Sequence, residues 1–167
     1  KGKLACKTDC WFNAVKLLQL GTDGFVLEGI SLINSPHWMV TGFKDDNITW
    51  NPQTGDEETG LIDRPDNESA FSGTMKGFKI IGNWRWNSDG IAVLPGTQVS
   101  DCFINAYDDA FKLYNSRGSV TNCVVWQMDN GAVFQMGWYS KTVFGTQVSN
   151  VSIIHAEWTG TNYNWGI

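Results

Sequence analysis

A short apolar pattern recurs along the sequence, and its spacing restricts the folds open to the chain. Alternating apolar side chains at Phe78 recur 21 residues later at Val99, a further 21 later at Val120, and 28 later at Val148. Segment 27–34 is an earlier copy of the same type. Units of about 20 to 30 residues are typical of solenoids, because each unit exposes an apolar face that only the next unit can cover.

Each unit continues through a turn into a second apolar strand, at 90–94, 110–114 and 131–135. Helix signals are weak, so the pattern predicts an all-β fold, a parallel β-helix with coils of about 21–28 residues. A propeller would need repeats of roughly 40 residues. A sandwich would need hairpin turns, and the hairpin dipeptide Asn-Gly occurs once, at Asn130-Gly131.

We predict a single β-helix domain, or a fragment of one, over residues 1–167. The chain starts without an initiator Met or a signal peptide and stops in a strand-like stretch, so we expect a mature piece or a fragment. Turn-forming and charged residues interrupt the period around 42–74 and predict a long loop insertion. Such a loop can border a binding groove, and can equally be a solvated insertion.

The composition bears on the partners of the chain. A formal charge of −5 argues against nucleic acid, which needs a basic face. No apolar run reaches the roughly 18 residues of a membrane helix, so no membrane partner is expected. The 9 Trp exceed what a core of this size needs, and flat aromatic faces are surfaces on which sugar rings stack.

The four cysteines give no metal signature. Cys6 and Cys10 do not have zinc-site spacing and the chain has only 2 His, so we expect no metal and no cofactor. A disulfide between Cys6 and Cys10 is compatible with an oxidising compartment. Cys102 and Cys123 should stack on adjacent coils as buried free thiols, because in-register stacking does not ensure the dihedral angle of a disulfide.

Three acceptor sequons for N-glycosylation begin at Asn47, Asn67 and Asn150. Together with the even number of cysteines they favour a secreted, extracellular glycoprotein.

The repeat also brings acidic residues into register. Asp89 aligns with Asp109 one coil further on, and Asp108 aligns with Asp129, which leaves Asn130 below Asp109. Adjacent strands of a parallel sheet lie about 4.8 Å apart. We therefore expect Asp89, Asp108 and Asp109 to crowd within several Å of one another on one side of the stack.

This cluster is expected to lack a neutralising cation, since Arg85 and Lys112 are only the nearest basic residues in sequence. Three explanations fit such a cluster. A carboxylic acid and a partner carboxylate can hydrolyse a glycosidic bond, and like-charge crowding helps to keep one of them protonated. Carboxylates also collect around Ca²⁺, and Asp and Asn commonly bond backbone groups at turns.

Three runs resemble glycoside hydrolase family 49, which contains dextranases and isopullulanase: Trp86-Asn-Ser-Asp-Gly-Ile, Tyr107-Asp-Asp-Ala-Phe-Lys-Leu-Tyr and the segment 123–138. The resemblance covers roughly residues 75 to 160. It implies a right-handed parallel β-helix that hydrolyses α-glucans with inversion. Applied to this sequence, the resemblance implies that Asp108 is the general acid and that Asp89 and Asp109 activate water. The Gly-His-Gly and Arg-x-Lys motifs of related pectinases are absent, which favours a neutral glucan.

The resemblance thus implies an inverting endo-hydrolase of the α-1,6 linkages of dextran, acting as a monomer with further coils or a domain from the same parent chain. Hydrolysis of pullulan, and a non-catalytic β-helix that binds glycan or is structural, remain alternatives. Inversion predicts acid and base carboxyls about 6.5 to 9.5 Å apart, so Asp108 should point away from one partner. The expected substrate contacts are Trp84, Trp86, Tyr107, Lys112, Trp126, Gln127, Asp129, Gln135 and Trp138.

Overall fold

The computed structural model describes residues 17–34, 39–42, 49–50, 57–58, 72–81, 88–136 and 143–157. The regular elements of these residues are all strands. In chain order they are β1 Leu18–Leu20, β2 Phe25–Glu28, β3 Ser31–Ile33, β4 Val40–Gly42, β5 Thr49–Trp50, β6 Glu57–Glu58, β7 Gly73–Lys76, β8 Lys79–Ile81, β9 Ile91–Ala92, β10 Gln98–Ser100, β11 Phe103–Ala106, β12 Phe111–Leu113, β13 Ser119–Gln127, β14 Phe134–Met136 and β15 Gln147–Ala156. No helix in the described part of the chain is long and apolar enough to cross a membrane.

The strands stack in parallel along three faces of a coil. One face has the order β1-β4-β9-β12-β14. The second runs through β2, β7 and β10 to the first half of β13, and the third runs through β3, β8 and β11 to its second half. β15 then pairs with β13 along both halves. Parallel pairing between successive coils confirms the predicted parallel β-helix.

The register confirms most of the predicted repeat. Val99 pairs with Val120, and Val120 pairs with Val148. The match of Val99 with Phe78 is wrong, because Val99 pairs with Met75. Both halves of a coil alternate apolar and outward side chains, so the alternation alone did not show that Phe78 belongs to the second half.

A residue with positive φ separates the two halves at the same position of five coils. These residues are Gly29, Gly77, Asp101, Asn122 and Asn150, with φ between 49° and 67°. Glycine, and then Asn and Asp, adopt this conformation at the lowest cost. Nδ2 of Asn122 donates to Oδ1 of Asp101 at 3.3 Å, and Nδ2 of Asn150 donates to Oδ1 of Asn122 at 2.6 Å. Side-chain hydrogen bonds therefore connect the coils along this turn.

Inward side chains of the three faces form one apolar core. Cys102 and Cys123 occupy equivalent inward positions of adjacent coils, as predicted, and both are buried thiols. Each sulfur donates to the carbonyl two residues earlier, at 2.8 Å for Cys102 and 3.2 Å for Cys123. The core also contains the fully buried side chains of Phe78, Phe111, Met39, Met75, Ile80, Ile91, Leu94, Ile104, Leu113, Val40, Val93, Val99, Val120 and Val125.

Several predictions concern residues outside the described ranges. Cys6, Cys10, Asn47 and Asn67 are among them. Asn150 is described and is exposed on β15. Within the expected insertion at 42–74, β5 and β6 form a two-stranded antiparallel pair. The single-domain organisation and the bounds of the insertion stay predictions.

Candidate active site

The three aspartates lie just before strands of the same face. Asp89 precedes β9 by two residues, and Asp109 precedes β12 by two residues. Phe111 of β12 pairs with Ile91 of β9, and the backbone N–H of Gly90 donates to the carbonyl of Asp109 at 2.9 Å. Asp89 therefore aligns with Asp109 across one coil step, as the sequence predicts.

The predicted crowding of the carboxylates is confirmed. One oxygen of each of Asp89, Asp108 and Asp109 lies within 4.8 Å of an oxygen of the other two. The three residues are 2%, 9% and 6% exposed, respectively. These oxygens are closer together than the separation of about 6.5 to 9.5 Å that inversion predicts for the acid and base carboxyl groups. Asp108 fails to point away because its Oδ1 turns back to accept the N–H of Asp109 at 2.9 Å.

A cation lies within the cluster, so the expectation of an unneutralised site is wrong. Nζ of Lys112 lies 3.0 Å from Oδ2 of Asp89, and both side chains are buried. Phe111 and Leu113 of β12 point into the core. The alternation of a strand then directs Lys112 to the opposite side, where the aspartates lie.

Burial dominates the electrostatics of two of the carboxylates. Burial raises the pKa of Asp89 well above its ordinary value; Lys112 opposes this shift, and the charges of Asp108 and Asp109 reinforce it. Burial and then the charge of Asp108 raise the pKa of Asp109 to about 6, against the opposing effect of Lys112. A carboxyl group with this pKa can gain or lose a proton near neutral pH, as acid–base catalysis requires.

The turn between β13 and β14, on the next coil, holds Asp108 and Asp109 in place. Nδ2 of Asn130 donates to Oδ2 of Asp108 at 2.6 Å. The backbone N–H of Ala132 donates to Oδ1 of Asp109 at 2.9 Å. Nε2 of Gln127 donates to the carbonyls of both Asp108 and Asn130, each at 2.8 Å. The carboxylates are thus fixed by donors from a neighbouring coil.

These contacts correct the predicted register of the turn. Asn130 contacts Asp108 rather than Asp109, and the backbone of Ala132 takes the place expected of Asn130. The step from β11 to β13 is 21 residues, from Ala106 to Gln127, but the step from β12 to β14 is 23, from Phe111 to Phe134. Two extra residues therefore lie in the turn, and a constant period cannot place them.

Sequence reasoning missed Tyr114 and placed Asn130 beside the wrong aspartate. The hydroxyl of Tyr114 donates to Oδ2 of Asp109 at 3.4 Å, and Nζ of Lys112 lies 5.7 Å from the centre of its ring. Burial and the neighbouring carboxylates raise the pKa of Tyr114, so its hydroxyl stays a donor. Because Tyr114 follows Lys112 by two residues, strand alternation could have identified it.

The structure places some expected substrate contacts beside the aspartates. Tyr107 directly precedes Asp108 and is half-buried, Lys112 and Gln127 are buried, and Asp129 is half-buried in the turn. Gln135 pairs with Lys112 in the adjacent strand and so lies on the same side of the sheet.

The aromatic residues expected to contact sugar are less favourably placed. Trp126 is 39% exposed on the outer side of β13. His155 stacks on one face of its ring, with the ring centres 4.4 Å apart. That face cannot also stack on a sugar. Trp84, Trp86 and Trp138 lie outside the described residues.

Comparison with known proteins gives no matching family model. A dextranase of Arthrobacter globiformis is 37% identical over 100 residues, which are 59% of this chain and 16% of that protein. A dextranase of Talaromyces minioluteus is 31% identical over 90 residues, 54% of this chain and 15% of that protein. An isopullulanase of Aspergillus niger is 30% identical over 90 residues, 54% of this chain and 16% of that protein.

Among solved structures, Dex49A from Penicillium minioluteum matches with a TM-score of 0.64 and 22% identity. The match covers 86% of this chain and 22% of Dex49A. The chain therefore spans only about one sixth of the relatives matched by sequence and about one fifth of the structural neighbour. The chain is similar in sequence to dextranases and an isopullulanase and in fold to Dex49A, which confirms the resemblance indicated by its aspartate motifs.

Proposed function

We propose that this chain carries the catalytic aspartates of a secreted hydrolase that cleaves α-1,6 linkages within dextran. The observation that supports this most directly is the set of three buried carboxylates within 4.8 Å of one another. The chain is also 37% identical over 100 residues and 31% identical over 90 residues to two proteins named dextranases. Burial raises the pKa of two of the carboxylates, Asp89 and Asp109, and buried carboxyl groups with raised pKa values are typical of acid–base sites.

Asp108 serves as the general acid. It transfers its proton to the glycosidic oxygen as the bond from that oxygen to the anomeric carbon breaks. Asp89 and Asp109 accept a proton from the water whose oxygen bonds to the same carbon. The products are two shorter glucans, and the proton taken from water replaces the one that Asp108 gave. Lys112 favours the anionic form of Asp89 and so opposes the larger effect of burial, which favours the protonated form.

The close spacing bears on stereochemistry. Carboxyl groups about 5 to 5.5 Å apart are usual in retaining enzymes, in which one carboxylate bonds to the sugar. That route requires a carboxylate oxygen to touch the anomeric carbon. Asp89 and Asp109 are only 2% and 6% exposed. A water molecule reaches such recessed oxygens more easily than a carbon within a sugar ring does, which favours inversion.

The test is release of reducing ends from dextran and from pullulan by the 167-residue chain. Asp89→Asn, Asp108→Asn and Asp109→Asn should each abolish release while dextran still binds. Glu28→Gln, at an exposed position of β2, is the control and should keep full activity. Proton NMR of the first dextran product should show the β-anomer. The α-anomer appearing first would refute the inverting mechanism.

The alternatives predict different results. Release from pullulan alone would favour hydrolysis of that polymer, which the 30% identity to an isopullulanase also supports. A folded chain that binds dextran without cleaving it would favour the glycan-binding alternative. A folded chain that neither binds nor cleaves either polymer would overturn the proposal for this chain.

A further inference from the structure

The carboxyl group of Asp108 is held at both of its oxygens. Oδ1 accepts the backbone N–H of Asp109 at 2.9 Å, and Oδ2 accepts Nδ2 of Asn130 at 2.6 Å. The first donor belongs to the same turn and is fixed by the backbone. The second is a side-chain amide from the next coil, and is the one partner of the two that can rotate.

Asn130 is itself fixed at its backbone. Its N–H donates to the carbonyl of Tyr107 at 3.0 Å, and its carbonyl accepts Nε2 of Gln127 at 2.8 Å. The following residue, Gly131, has φ 75°, and a Cβ there would lie 2.5 Å from Oδ1 of Asp108. The turn thus approaches Asp108 as closely as a glycine allows, and it holds the backbone of Asn130 beside the carboxyl group.

An amide suits a partner that changes its protonation state. It carries two N–H donors at one atom and an acceptor at the other, and a half-turn about the terminal torsion exchanges them. A carboxylate needs a donor, whereas a protonated carboxyl can donate its own O–H. Under the proposed function Asp108 passes through both states in every turnover.

We propose that Asn130 is a positioning residue that holds Asp108 in both states, with Nδ2 donating to the carboxylate and Oδ1 accepting from the carboxylic acid after rotation. The inference rests on the proposed role of Asp108 as the acid. The proton on Oδ2 is thereby kept in a defined place until it is transferred. Leucine at position 130 could do neither, and an ionised aspartate could only accept.

Other titratable groups face the same carboxyl and stay in place in every variant considered. Asp89 and Asp109 lie beside Asp108, the ammonium of Lys112 contacts Asp89, the hydroxyl of Tyr114 contacts Asp109, and Asp129 is in the same turn as Asn130. Because these groups are common to wild type and variants, a change in pH dependence between them reports on residue 130.

The first test is the pH profile of kcat on dextran for Asn130→Asp and Asn130→Leu. Asn130→Asp adds an anion beside Asp108, which favours the protonated acid, so the alkaline limb should move up by about one pH unit or more. Asn130→Leu should lower kcat roughly 10- to 100-fold, which is less than the roughly 10²- to 10⁴-fold contribution of a general acid because Asp108 remains, with KM changed less than about twofold. Asn105→Leu is the control, since Asn105 donates to the carbonyl of Trp126 on the outer surface and should leave the limb unmoved. An unmoved limb in Asn130→Asp would overturn the inference.

The second test needs no activity. The side-chain amide of Asn130, assigned by triple-resonance NMR in the wild-type chain, should show a pH-dependent shift that disappears in Asp108→Asn. A shift that is absent, or that persists in Asp108→Asn, would overturn the inference even if every aspartate variant behaves as proposed. If the coupling is present but dextran is not cleaved, the proposed function fails while the coupling between Asn130 and Asp108 stands.

Discussion

Replacing Asp109 by asparagine should stabilise the folded chain near neutral pH. Asp109 is 6% exposed, and burial is the main cause that raises its pKa from the ordinary 3.8 to about 6. The folded state therefore disfavours the anion relative to the unfolded chain. Asparagine resembles the protonated side chain in shape, and its oxygen can still accept the N–H of Ala132.

The size of the effect follows from the shift. Each pKa unit corresponds to about 1.4 kcal/mol, so a shift of roughly two units costs the wild-type chain about 3 kcal/mol of unfolding free energy once Asp109 is ionised in both states. Because the pKa of Asp109 is raised in the folded state, wild type keeps its full unfolding free energy below pH 3.8. It loses about 3 kcal/mol of that free energy as the pH rises to about 6. Asp109→Asn should thus exceed wild type by about 3 kcal/mol at pH 7 and by well under 1 kcal/mol at pH 4.

Urea denaturation at pH 4 and pH 7, with the same probe for both proteins, measures this difference. Glu28→Gln serves as the control, because a substitution at an exposed position of β2 should change the unfolding free energy by less than about 0.5 kcal/mol at either pH. If Asp109→Asn and wild type differed by the same amount at both pH values, folding would not raise the pKa of Asp109. A variant less stable than wild type at pH 7 would refute the sign.

Two further outcomes follow from packing. Gly90→Ala should destabilise the fold by about 1 to 3 kcal/mol or more in thermal unfolding, since its Cβ would lie 2.3 Å from the backbone oxygen of Ala110; an unchanged melting temperature would contradict this close approach. Cys102 and Cys123 should react with a thiol reagent only after unfolding, because their side chains are only 3% and 1% exposed; labelling of either in the native chain, located by peptide mapping, would contradict their burial.

The sequence predicts the fold well where the repeat fills the core. Val99 and Val120 align because both are buried at inward positions of a coil, where packing favours an apolar side chain; Val148 keeps the same register but is 44% exposed. The equivalence of Cys102 and Cys123 follows from the same period. The register fails at Phe78 because a coil has two alternating segments of the same appearance. The residue with positive φ that divides them, Gly77 in this coil, was the available signal.

The candidate site is harder to predict because its contacts depend on side-chain direction and on local departures from the repeat. The alignment of successive coils brought the three aspartates together, but it left Lys112 as a neighbour in sequence only. The alternation of β12 directs that side chain to Asp89. Its partner Tyr114 lies on the same side for the same reason. Aligning the carboxylates alone therefore overestimates the unpaired charge of the aspartates. The alternation of the following strand must also be used to find which residues lie on the same side of the sheet.

The interruption of the period determines which groups contact the aspartates. A strictly periodic chain would set Asp129 beside Asp108, and a further like charge about 4.8 Å away would be unfavourable. The two extra residues between β13 and β14 place the amide of Asn130 and the N–H of Ala132 there instead, so donors meet the carboxylates. The apolar core requires only the regular spacing of the coils, whereas the two extra residues in the turn are needed to position Asp108 and Asp109. The repeat therefore predicts the stacked coils, but it assigns the wrong partners to Asp108 and Asp109 in the turn on which the proposed chemistry depends.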